Sequence, residues 1–68
     1  MMSVSKNISI SNRILRLPEV QSQTGLSRSS IYLMMSEGLF PASVKLGERS
    51  VGWVEKEIQD WINQKINI

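Results

Sequence analysis

Apolar residues recur at helical spacing in two stretches of this 68-residue chain and alternate with polar ones in two others. The clearest stripe is Val54, Ile58, Trp61 and Ile62, at i, i+4, i+7 and i+8, which predicts an amphipathic helix. Glu55 and Glu57 stand in its first turn and Lys65 near its end, each sign matching the helix dipole. A second stripe, Ile31, Met34 and Met35, predicts a helix from Arg28 to about Glu37 with that side buried and with Ser29, Tyr32, Leu33 and Ser36 turned outward. Ser27 is placed to cap it, Gly38 to stop it, and Pro41 forbids its resumption, leaving Leu39-Phe40-Pro41 as a tight apolar turn. Upstream, a further helix should begin near Pro18, because the missing proline N–H would find no partner in the first turn anyway. Gly25 ends that helix after about two turns, as the usual left-handed C-terminal residue. Arg13 to Leu17 reads as extended, since the residue before a proline avoids the α region.

Val44-Lys45-Leu46 and Val51-Gly52-Trp53 alternate around Gly47-Glu48-Arg49-Ser50, which predicts a β-hairpin with a short glycine-containing loop. The order is therefore extended segment, helix, helix, hairpin, helix: a mainly α domain with a small β-hairpin over residues 13–68. Residues 1–12, rich in Ser and Asn, read as a flexible N-terminal tail, in which Ile8-Ser9-Ile10 has the alternation of a short edge strand. Trp53 at the hairpin's end and Trp61 on the last helix are expected to meet in the core.

Composition narrows the chemistry. The chain has no cysteine and no histidine, so disulfides, thiolate metal sites and the commonest general base are all excluded. No serine has an evident base partner, and no glycine-rich loop precedes a phosphate-binding lysine. The reading is a module with no catalysis, no cofactor, no metal and no small-molecule substrate. The longest apolar run, Ile31 to Met35, is far shorter than the roughly 20 residues of a membrane span, and residues 1–12 lack a secretory signal's apolar core, so a cytoplasmic location is expected. Net charge is only +2, but it is unevenly placed. Up to Ser50 there are six basic side chains against three acids, and beyond it two against three, which suits a polyanion on one side.

Two short helices joined by a glycine-containing turn form the helix-turn-helix used in the DNA major groove. With Leu17 as the motif's first position, Gly25 is the ninth, and Val20, Leu26, Ile31 and Met34 fall where the helices must pack together. The outward set of the second helix is Arg28, Ser29, Ser30, Tyr32, Leu33 and Ser36. Arg28 suits guanine O6 and N7 or a phosphate, and Ser29 and Ser30 suit phosphate at the positive helix end. Each has a plainer alternative: a solvated arginine, a tyrosine laid on the core edge, methionines that only fill the core. Leu33, outward and apolar, fits a thymine methyl or a protein partner. Lys45 and Arg49 on the hairpin suit the phosphate backbone or a narrow minor groove, or serve only as solvated turn residues.

Arg16-Leu17-Pro18-Glu19-Val20, Thr24-Gly25-Leu26-Ser27-Arg28-Ser29-Ser30-Ile31-Tyr32, Gly38-Leu39-Phe40-Pro41, Val44-Lys45-Leu46-Gly47 and Val51-Gly52-Trp53 resemble, in order, the AlpA family of short prophage transcriptional regulators. The resemblance covers about residues 13–66. It implies a winged helix-turn-helix, similar to phage excisionases and to the DNA-binding domain of MerR-type regulators, with the second helix as reader and the hairpin as wing. By position it places the reading contacts on Arg28, Ser29, Ser30 and Tyr32 and the basic wing on Lys45 and Arg49. Leu33 and Ser36 depart from it, standing where family members commonly carry polar or basic residues.

The expected partner is double-stranded DNA, bound by several copies on repeated sites. Two rivals accompany this reading. One is an excisionase-like architectural factor that bends DNA for an integrase. The other is a protein-interaction adapter whose Tyr32, Leu33 and Met35 dock a partner helix.

Overall fold

The computed structural model describes residues 13–67. The tail and its Ile8-Ser9-Ile10 alternation lie outside the described residues. The elements are β1 (Ile14–Leu15), α1 (Leu17–Thr24), α2 (Arg28–Ser36), β2 (Val44–Lys45), β3 (Val51–Val54) and α3 (Glu55–Ile66). Three helices with a small antiparallel sheet are compatible with a winged helix-turn-helix.

The predicted extended segment turns out to be a strand. β1 pairs antiparallel with β3, Ile14 opposite Val54 and Leu15 opposite Trp53, and β2 pairs with the other edge of β3, Val44 opposite Gly52 and Lys45 opposite Val51. The sheet order is β1-β3-β2. Glycine at 52 is what lets three strands lie together: a Cβ there would overlap the Ile14 side chain, sit 2.9 Å from the Leu15 carbonyl oxygen and 3.2 Å from Leu46 Cδ1.

α1 starts where proline predicts, with Pro18 in its first turn, and the Glu19 carboxylate accepts the Arg16 backbone N–H at 2.9 Å. Gly25 ends it with φ 78°, its N–H donating to the Gln21 carbonyl at 2.7 Å. α2 ends in a Schellman arrangement around Gly38, φ 74°: the Leu39 N–H donates to the Met34 carbonyl (2.8 Å) and the Gly38 N–H to that of Met35 (3.1 Å).

Leu15, Val20, Ile31, Phe40, Trp53 and Ile58 form the core, which therefore draws on β1, β3, every helix and the 37–43 turn. Of the predicted buried stripe on α2, Ile31 is fully covered, whereas Met34 and Met35 are half-buried on its flank. The tryptophans do not pair as expected. Trp53 is fully buried and takes Tyr32 edge-on, centroids 6.4 Å apart. Trp61 is half-buried on the same core, packs edge-on against Phe40 at 4.9 Å, and donates its Nε1–H to the Leu39 carbonyl at 2.9 Å. The cause is the turn after α2, which places Phe40 and the Leu39 carbonyl against α3. A long-range hydrogen bond, Gln59 Nε2 to Gln23 Oε1 at 2.8 Å, ties α3 to α1.

Candidate nucleic-acid interface

The turn between α1 and α2 is fastened by side chains at both ends. Thr24 Oγ1 donates to the Val20 carbonyl at 2.7 Å and accepts the Leu26 N–H at 3.2 Å. Ser27 caps α2 as predicted, its Oγ accepting the Ser30 N–H at 3.1 Å. The Ser27 hydroxyl also donates to Ser30 Oγ at 3.0 Å. Ser30 is thus half-buried and engaged in the cap, while Ser29 stands exposed beside Arg28 in the same first turn. There the backbone N–H groups and the helix dipole favour an anion.

Arg28 and Tyr32, one helical turn apart, are brought together: the Arg28 guanidinium carbon lies 5.4 Å from the Tyr32 ring centroid. The same ring rests edge-on against Trp53 at an interplanar angle of 71° and is 38% exposed. The Tyr32 ring therefore lies on the core edge with part of the residue open to solvent. Leu33 is 59% exposed, so the helical phase inferred from the sequence is right and its outward apolar side chain is real. Ser36 is exposed at the end of α2, its hydroxyl donating back to the Leu33 carbonyl at 2.6 Å. Lys45 is exposed on β2, opposite Val51, and Arg49 is exposed in the connection between β2 and β3.

The cations sort into two groups that sequence counting does not separate. Arg13 bridges Glu19 (2.9 Å) and Glu55 (3.4 Å), and Arg16 Nε donates to the Val51 carbonyl at 3.0 Å. Both fasten the ends of β1 to the elements around it. Lys56 pairs with Asp60 at 3.1 Å, and Lys65 lies over the Trp61 ring at 5.3 Å. Arg28, Lys45 and Arg49 form no ion pair among the described residues. Two of the five described cations in the first fifty residues, Arg13 and Arg16, are thus committed to architecture, and the other three, exposed and without a hydrogen-bonded partner among the described residues, lie on α2 and the hairpin.

Residues 13–66 match the model of the family described as "Prophage CP4-57 regulatory protein (AlpA)". The chain belongs to the AlpA family. Among its relatives is an Escherichia coli K12 protein named "DNA-binding transcriptional activator AlpA", 40% identical over 62 residues, with 82% of this chain and 89% of that one covered. Another is "Uncharacterized protein ORF88" of Enterobacteria phage P4, 44% identical over 54 residues, covering 79% of this chain and 61% of the phage protein. The match spans every element that positions the candidate residues. Among the described residues of this AlpA-family chain, no cluster of His, Cys, Asp or Glu is placed to hold a metal, and no helix is long and apolar enough to cross a membrane.

An open hollow of about 720 Å³ lies between the 38–44 segment and α3, floored by Leu39, Val44 and Trp61. It shares no residue with the candidate set.

Proposed function

We propose that this protein is a DNA-binding transcriptional regulator that acts without catalysis. α2 enters the major groove, with Arg28 on a guanine edge or phosphate, Ser29 and Ser30 on the backbone, and Leu33 and Ser36 further along the same face. The β2–β3 hairpin is the wing, its Lys45 and Arg49 on the flanking backbone or minor groove. The observation that carries this reading is the placement of the cations: among the described residues Arg28, Lys45 and Arg49, exposed and without a hydrogen-bonded partner, are on α2 and the hairpin, while Arg13 and Arg16 fasten β1 to its neighbours. The name of the E. coli relative supports it.

Three such cations make a shallow salt dependence, each phosphate contact adding about −0.9 to d log K/d log[salt]. Affinity per molecule is accordingly modest, and several copies act together on repeated sites. The test is footprinting and anisotropy on duplexes that the wild-type protein selects from a random pool. Arg28→Ala and Arg49→Ala each weaken binding and flatten the salt slope while the circular dichroism spectrum is unchanged. Full affinity in the double variant would remove the assignment.

A further inference from the structure

We propose that Tyr32 is a positioning residue for Arg28: its ring, seated on the buried Trp53, holds the guanidinium in place before DNA arrives. The inference rests on the reading of Arg28 as a DNA contact. Arginine reaches its target on a long flexible stem, and ordering that stem on binding costs entropy. Here the guanidinium has a partner on its own helix. Arg28 lies 5.4 Å from the Tyr32 centroid, at the i, i+4 spacing that makes side chains on one helix face neighbours. No carboxylate competes for it among the described residues.

The ring is itself anchored. Tyr32 meets Trp53 edge-on, and Trp53 is fully covered and paired in register with Leu15 at the centre of the sheet. A rigid path therefore runs from the sheet through two aromatic rings to the one arginine of α2. On this account the tyrosine acts through its ring and not through its hydroxyl.

A double-mutant cycle on the selected duplex, read by anisotropy, separates these roles. Tyr32→Leu keeps an apolar contact on Trp53, removes the ring, and weakens binding about two- to fivefold when Arg28 is present. In the Arg28→Ala background it has no effect. Tyr32→Phe, which keeps the ring and lacks the hydroxyl, restores affinity, and the salt slope of Tyr32→Leu matches wild type because no phosphate contact is lost. Equal losses in Tyr32→Phe and Tyr32→Leu, or an additive cycle, would overturn the proposal and leave Arg28 as a contact. Unchanged binding in Arg28→Ala alone would instead remove the reading of Arg28, and this inference with it. Thermal melts of each variant separate loss of fold from loss of positioning.

Discussion

Gly52→Ala tests whether the sheet is held by close approach at its central strand. Gly52 is flanked by β1 on one side and β2 on the other, and an added Cβ falls 2.9 Å from the Leu15 carbonyl oxygen and 3.2 Å from Leu46 Cδ1, besides overlapping the Ile14 side chain. The Leu46 terminus can turn aside. The Leu15 carbonyl cannot, because it is backbone, and Leu15 is fully buried in the core. Forcing a methyl into such a site costs about 1–3 kcal/mol. Replacing glycine returns about 0.4–1 kcal/mol by restricting the unfolded chain. The net loss lies between about 0 and 2.6 kcal/mol, near 1 kcal/mol at its centre, and each kcal/mol lowers Tm by roughly 4–8 °C in a domain of this size. Gly47→Ala is the control, since a Cβ there meets nothing within 4 Å. Both variants are compared by circular dichroism melting. Gly52→Ala melting at or above wild type would show that β1 does not press on β3 as described.

Trp53→Ala removes a fully buried ring and costs about 3–5 kcal/mol, so denaturant titration should find little folded protein at 37 °C. Trp61→Phe keeps most of the contact with Phe40 and loses the bond to the Leu39 carbonyl, a change of about 0.5–1.5 kcal/mol in the same titration. Ser27→Ala strips the α2 cap and costs about 1 kcal/mol, with Ser27→Gly milder, both read by urea midpoint. Lys56→Ala breaks an exposed pair and should shift stability by less than about 1 kcal/mol.

Helices and hairpin were legible because their signals are local. Pro18, Gly25, Ser27 and Gly38 each satisfy or block a specific backbone bond, and the stripe through Ile58, Trp61 and Ile62 fixes the phase of α3, although Val54, read as its first position, is the last residue of β3. β1 was readable only as extended backbone: two residues carry no periodicity, and their partner lies at Trp53 and Val54. The tryptophan pairing failed for a related reason, since the turn that brings Phe40 to Trp61 is set by the Gly38 motif and not by any pattern in α3. In the candidate site, the outward set on α2 followed from 100° per residue. Which cations are committed to architecture did not, because Arg13 and Arg16 find their partners only once β1 is docked. The contact between Arg28 and Tyr32 was available from their spacing, and the missing clue was Trp53 beneath the tyrosine.

The pairing of Ile14 with Val54 joins positions forty residues apart, and β3 passes straight into α3. During synthesis the helix-turn-helix segments leave the ribosome first, but Leu15 has no strand to lie against until Trp53 and Val54 have followed. A released fragment ending at Ser50 should therefore be as protease-sensitive as an unfolded chain, and protection should appear only when both β3 and Ile58 of α3 are present.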